Sequence, residues 1–330
     1  MKNPIQTVAR RAFAASLLTL SLLPAAWAQT VKANVASTHP PGSAADQALH
    51  KFKELTAERS GGRITIQIHP SSAMGDERQA FEQLSQGSVE FGATGMGPVS
   101  TFFPKFFIAE VPYLFNGQAD FWKFWNGPGN DLFAMIDQKR NVRGMGVVYQ
   151  GARYLTSNRP VRTVADVKGL KMRLPPIRSW QTVWSGLGAV PSTIAFAETY
   201  MALKTGIVEA QENPPETILN FKFYEAQKYL IATEHVQAGG LIWVSSAWWD
   251  KLPKADQALL AKAMAEGIAY GNEITREGDA KTVKKLQELG MQLVTVDKNE
   301  FRRATAPATS NMAKNDWDPA FYEKVKAALK

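Results

Sequence analysis

The 330-residue chain contains no cysteine. Thiolate metal sites, thiol nucleophiles and disulfide staples are therefore excluded, and the fold must be held by an ordinary apolar core. Histidine is scarce: His39, His50, His69 and His235 lie far apart, without the spacing of metal ligands. The sequence also lacks a Gly-x-Ser-x-Gly elbow, a Walker loop and a His-Glu-x-x-His helix. Gly95-Met96-Gly97 follows a predicted strand but misses the third glycine of a dinucleotide loop, and it reads better as a close backbone approach at a cleft wall.

The formal charge of +8 includes Lys2, Arg10 and Arg11, which no acid balances in the first 28 residues. The other cations are interleaved with acids, as in Lys51-Phe52-Lys53-Glu54, so the basic stripe of a nucleic-acid binder is missing. The excess fits attraction of anionic solutes or ordinary surface charge, and composition does not separate the two.

The three N-terminal cations are followed by an apolar run from Ala12 to Leu23 and by Ala26-Trp27-Ala28, the order of a secretory signal peptide cleaved after Ala28. That run is too short for the roughly 20 residues that span a bilayer, and no later apolar run is long enough either. Arg10-Arg11-Ala12-Phe13 fits a twin-arginine signal as well as a general basic leader, so the export route stays open. The chain from Gln29 to Lys330 is longer than one comfortable core and is expected to form two lobes.

Val31 to Ser37 reads as a strand, and Ser43 caps a helix to Arg59 whose apolar Ala44, Ala48, Phe52 and Leu55 recur at helical spacing. Ile64, Ile66 and Ile68 alternate as in a half-buried strand; a helix over 75–86 and a strand over 89–94 follow. This alternation predicts a parallel α/β sheet. The aromatic stretch from Thr101 to Trp125 is assigned to core, and 126–130 to a turn between helices. Val142 to Tyr149 is strand-like. A second α/β stretch has a strand over 170–174 and helices over 177–187 and 197–204. From Lys254 to Leu289 the pattern is helical almost throughout, roughly 50 Å at the usual rise and enough to brace both lobes.

Arg173 lies at the end of the strand over 170–174, beside Pro175, and ligands of open α/β sheets bind at the carboxyl ends of strands. A guanidinium there offers a planar fork for a carboxylate. On its own, such an arginine is more often a surface residue.

Its setting changes that reading. Gly169-Leu170-Lys171-Met172-Arg173-Leu174-Pro175, Leu187-Gly188-Ala189-Val190-Pro191, Glu198 to Gly206 and Gln211-Glu212-Asn213-Pro214 resemble the signature of the DctP-type substrate-binding proteins of TRAP (tripartite ATP-independent periplasmic) transporters. His69 to Gly75, Val111 to Phe115, Phe223-Tyr224-Glu225 and Glu234-His235 follow in the family's order, so the resemblance covers nearly all of the chain beyond the signal peptide.

The resemblance implies a two-lobed α/β periplasmic-binding-protein fold of the Venus-flytrap kind, with the long helix bridging both lobes. Residues 29–150 plus 239–278 would form lobe I, and 151–238 plus 279–330 lobe II. It implies Arg173 as the clamp on a ligand carboxylate, Arg153 and Asn213 as cleft companions, and Phe196 as the aromatic cover. Thr38 and Glu77 fall where the first lobe makes polar contacts. Met96, Trp180 and Trp184 point to a small or partly apolar site, although Trp180 reads equally well as a helix anchor in the core.

Where the sialic-acid branch carries a Glu and an Arg, this chain has Gly95 and Pro98, and Pro176 replaces a polar residue, which argues against a nine-carbon acidic sugar. Gln211-Glu212-Asn213-Pro214 lacks the tryptophan of the metal-using branches, so neither metal nor cofactor is implied. The implied role is a monomeric, non-enzymatic periplasmic protein that hands a sugar acid or hydroxy acid to the small and large permease subunits. The alternatives are a periplasmic sensor module, or an enzyme drawing its base from Glu77, Glu212 or His39.

Overall fold

The computed structural model describes residues 30–276, 278–316 and 319–330. The expected signal peptide over 1–28 lies outside the described residues. The strands are β1 (Val31–Ser37), β2 (Ile64–His69), β3 (Phe91–Gly95), β4 (Val142–Ala152), β5 (Tyr154–Ser157) and β6 (Lys171–Leu174), then β7 (Val190–Thr193), β8 (Ala210–Asn213), β9 (Tyr229–Ala232), β10 (Gln237–Ser245) and β11 (Gln292–Thr295).

The first half follows the alternation of its sequence. β1 pairs in parallel with β2 and β3, through the helices Ala44–Arg59 and Glu77–Gln86. Ser43 caps the first helix by accepting from the Asp46 N–H, and Asp76 and Gln79 form a reciprocal capping box on the second. Ala44, Ala48, Phe52 and Leu55 are buried on one helix face, and Ile64 and Ile66 on one face of β2. The sheet is not purely parallel, however: β10 returns from late in the chain and inserts antiparallel between β3 and β4, giving the order β2-β1-β3-β10-β4. Every residue of β10 is buried, so it carries no alternating polar face to mark it as a strand.

A second sheet has the order β11-β9-β5-β8-β6-β7. Here β7, β6 and β8 run parallel to one another, while β5 is antiparallel to both β8 and β9. The chain crosses between the sheets at Arg153, the single residue between β4 and β5, and again over 233–236; the Arg153 N–H donates to the Val236 carbonyl at 2.9 Å and ties the two crossings together.

The helical stretch expected over 254–289 is realised as Lys254–Arg276 and Gly278–Glu288. The first helix buries Met264 in the core of the first sheet, and the second buries Leu286 with Leu203 and Ile218 against the second. Helices Lys254–Arg276 and Ala44–Arg59 meet closely because Gly267 and Gly271 carry no side chain: a Cβ there would lie 2.5 Å from the Ala48 carbonyl and 2.8 Å from that of Ala44. The aromatic stretch is largely core, with Phe106, Phe121, Phe124 and Trp125 packed beneath the first sheet, but Phe107 and Val111 join the apolar cluster of Ile177 and Trp184 under the second. The last helix, Pro319–Ala328, places Phe321 and Val325 in the first cluster, because its apolar face finds the aromatic core there, while Tyr322 also packs against the cluster under the second sheet.

β1 and β3 end at the boundary between the sheets, and so do the parallel strands β6 and β8. Their carboxyl ends deliver Thr38, Met96, Arg173 and Asn213 to one cavity.

Candidate functional site

Eight of the nine side chains singled out from the sequence line that cavity; Trp184 does not, and packs instead in the apolar cluster under the second sheet, edge-on to the His235 ring. Thr38, Glu77 and Met96 come from the side of the first sheet; Arg153, Arg173, Trp180, Phe196 and Asn213 come from the side of the second. Glu110, Gln150 and His39 also line it.

Arg173 is 3% exposed. Its Nε donates to the Ile194 carbonyl at 2.9 Å, and its carbon centre lies 5.6 Å from the centroid of the Phe196 ring. Nη2 is buried without a hydrogen-bond partner among the described residues. Burial lowers the Arg173 pKa to about 10, opposed by the charges of Glu77 and Glu212, so the group remains a cation at neutral pH. One edge of the guanidinium is thus fixed by the backbone, and Nη2 is a buried cationic donor that no group among the described residues pairs.

Arg153 is arranged differently. Its Nε donates to Glu212 Oε2 at 2.5 Å, and Nη2 donates to Glu212 Oε1 at 2.9 Å, the Glu212 carbonyl at 2.9 Å and Asn213 Oδ1 at 3.0 Å. The Trp180 ring covers its face at 4.6 Å. Burial alone would raise the Glu212 carboxyl, but the charge of Arg153 and hydrogen bonds from His235 and Arg153 bring it below the ordinary carboxylate range. His235 Nε2 lies 3.0 Å from Glu212 Oε2, and its Nδ1 lies 2.9 Å from the Thr233 hydroxyl. Asn213 is likewise occupied, its Nδ2 donating to Gln211 Oε1 at 2.6 Å. Arg153 and Asn213 therefore face the cavity from inside a braced polar network, whereas Arg173 faces it with a free donor.

The side of the first sheet supplies carboxyls and neutral polar groups. Glu77 Oε1 accepts from the Gly95 N–H at 3.2 Å; burial raises its pKa, with that hydrogen bond and the charges of Arg173 and Arg153 opposing. His39 Nδ1 lies 3.1 Å from Gln150 Nε2, whose N–H it accepts, and burial pushes the imidazole down to about 4. Thr38 is buried and its hydroxyl donates to the Ala93 carbonyl at 3.4 Å.

Sequence reasoning missed Glu110. It is 3% exposed and accepts from Trp180 Nε1 at 3.1 Å, a hydrogen bond between the two sides of the cleft. Burial raises its pKa to about 8 against the charge of Arg153, with Glu212 and Glu77 adding to the rise. The signal was present: Glu110 is the only acid between Thr101 and Phe115, and a carboxyl inside so apolar a stretch must be buried with it. Glu216 was missed too. It accepts from the Ala44 N–H at 2.9 Å and joins the first turn of the helix Ala44–Arg59 to the second lobe.

Gly97 shows how close the two sides come. A Cβ there would lie 2.6 Å from Glu110 Oε2, 2.8 Å from Ile177 Cδ1 and 3.3 Å from the Trp180 ring. The Gly95-Met96-Gly97 turn is a wall of the cleft that admits the opposite lobe only without a side chain at 97.

Two α/β lobes joined by crossing segments, with a cationic fork buried between them, define a protein that closes around an anionic solute. The chain belongs to the bacterial extracellular solute-binding protein family 7 (DctP), whose model matches residues 35–316. It is similar to a solute-binding protein of Verminephrobacter eiseniae, 33% identical over 284 residues, covering 85% of this chain and 84% of that one. Among solved structures it is similar to a TRAP periplasmic solute-binding protein from Polaromonas sp. JS666 bound to D-erythronate, with a TM-score of 0.84, 30% identity and coverage of 91% and 98%. Another such protein, from Shewanella oneidensis with bound succinate, matches with a TM-score of 0.86, 25% identity and coverage of 91% and 99%. The protein is thus a TRAP-type solute-binding protein. Among the described residues, no helix is long and apolar enough to cross a membrane.

Proposed function

We propose that the protein captures a small hydroxylated organic acid in the periplasm, a sugar acid or hydroxy acid, and delivers it to the membrane subunits of a TRAP permease. The observation that carries this reading is the unpaired Arg173 Nη2 in the cleft. A buried cationic donor without a partner is costly, and a ligand carboxylate satisfies it through the planar geometry that guanidinium and carboxylate share. Arg173 is accordingly the carboxylate clamp. Thr38, Glu77, Gln150 and the Asn213 network receive hydroxyls, and Met96, Phe196 and Trp180 cover the carbon skeleton.

Binding and closure are one event. In an open cleft the fork is hydrated; closure removes water and strengthens each charge-assisted bond in the lower dielectric. The bond from the Ala44 N–H to Glu216 joins the two lobes, so ligand and interlobe contacts stabilise the same state. We assign residues 30–150 and 239–276 to one lobe and 151–238 with 279–316 to the other, a division supported by the two sheets. No turnover accompanies binding in this account: Glu212 is held by Arg153 and His235, and His39 is a neutral hydrogen-bonding group.

A thermal-shift screen of aldonates, uronates and hydroxy acids tests the proposal. A ligand present at 100 times its dissociation constant should stabilise the fold by about 2.7 kcal/mol. A full panel of such acids that leaves the melting temperature unchanged would refute it.

A further inference from the structure

Accepting that Arg173 clamps a carboxylate, the charges around the cavity restrict what the rest of the ligand can be. Arg153 is neutralised by Glu212 through two side-chain hydrogen bonds, which leaves Arg173 as the only cation of the wall without a paired acid. His39 does not add another, since burial keeps it neutral. The other ionisable groups of the wall, Glu77 and Glu110, are both carboxyls. The surplus positive charge is therefore at most one, and it falls to zero when Glu77 is ionised. One ligand carboxylate uses all of it.

We propose that Glu110 and Glu77 make the cleft selective for monocarboxylates that carry hydroxyls, and that they exclude the corresponding dicarboxylates. Glu110 is held by the Trp180 indole on Oε2, close beside Gly97, and is buried, which restrains it from swinging away from a second anion. Protonated at neutral pH, it gives a ligand hydroxyl or carbonyl a donor, and a carboxylate at the same place no compensating cation. Glu77 is held by the Gly95 N–H and offers an acceptor to hydroxyl protons. A dicarboxylate would bring its second charge toward the Glu77 carboxylate, in a wall with no second unpaired cation and closed to water, where like charges at short range are strongly unfavourable.

The test pairs monoacids with diacids of equal carbon count, erythronate with tartrate and gluconate with glucarate, titrated calorimetrically into the mature protein at pH 7.5. The better monoacid is expected to bind at least 100-fold tighter than its diacid. Glu77→Gln should narrow that gap at least ten-fold, and the melting curve of the variant checks its fold. A diacid within ten-fold of its monoacid in the unaltered protein, or an unchanged gap in Glu77→Gln, overturns the selectivity. If a diacid binds well and loses binding in Arg173→Met, the capture reading stands and the selectivity alone fails. If no acid of either kind binds through Arg173, both fail together.

Discussion

Arg153 and Glu212, fifty-nine residues apart in sequence, form a bidentate ion pair in the wall of the cleft, with Nε to Oε2 at 2.5 Å and Nη2 to Oε1 at 2.9 Å. The pairing separates the two cleft arginines. One is a structural cation at the crossing between the lobes, and the other has no ion-paired acid among the described residues.

The pair makes a specific demand on stability. Arg153→Met leaves the Glu212 carboxylate buried beside His235 without its main counter-charge, and such a loss costs about 3–5 kcal/mol. The double variant Arg153→Met, Glu212→Gln removes both charges and should recover most of that. Urea unfolding of the two variants measures the difference; equal destabilisation in both would show that the pair is not what holds the crossing.

Glu110 sets a pH dependence. Its folded pKa of about 8 lies above the ordinary 4.5 of an exposed glutamate, so the folded protein retains a proton that the unfolded chain has released. A raised acid destabilises the fold progressively as pH climbs from 4.5 to about 8, and its effect is constant above that. Glu216, raised by burial to about 7, and Asp279, raised by burial to about 6, act in the same direction over the lower part of the window. Melting curves from pH 5 to 9 should therefore fall less steeply for Glu110→Gln than for the unaltered protein, with the two diverging most between pH 6 and 8. Parallel curves would mean that Glu110 titrates normally.

Much of this architecture was legible in the sequence, and the limits have physical causes. Ser43, Ala44, Ala48, Phe52 and Leu55 mark a helix because capping and burial are local, and Ile64, Ile66 and Ile68 mark a strand for the same reason. β10 left no such trace, since a strand buried on both faces does not alternate, and its return between β3 and β4 is a tertiary event. Thr38, Met96, Arg153, Arg173 and Asn213 converge because they lie at or beside strand ends, and Glu77, Trp180 and Phe196 reach the same cavity from helical segments. What the motifs could not convey was partnership: Arg153 and Arg173 look alike as sequence, and only the approach of Glu212 from β8 distinguishes them.

Gly97 tests closure without touching the clamp. Gly97→Ala places a methyl group 2.8 Å from Ile177 Cδ1 and 3.3 Å from the Trp180 ring, against the opposite lobe. Overpacking of this kind costs about 1–3 kcal/mol, which in the closed state becomes a roughly 5- to 150-fold weaker ligand affinity. The thermal stability of the ligand-free protein should change little, because the lobes can stay apart. Small-angle scattering should show a smaller ligand-induced contraction than in the unaltered protein; an equal contraction with unchanged affinity would show that Gly97 is not a contact of closure.

The most direct measurement is calorimetric titration of the best acid found by screening into the unaltered protein and into Arg173→Met, with melting curves of both ligand-free proteins alongside. Arg173→Met gives up the Nε bond to the Ile194 carbonyl but also removes a buried donor without a partner, so the variant should stay folded and melt close to the temperature of the unaltered protein. Its ligand affinity should fall by a factor of hundreds or more, about 3–5 kcal/mol. Affinity within ten-fold of the unaltered protein, in a variant that remains folded, would contradict the assignment of Arg173 as the carboxylate clamp.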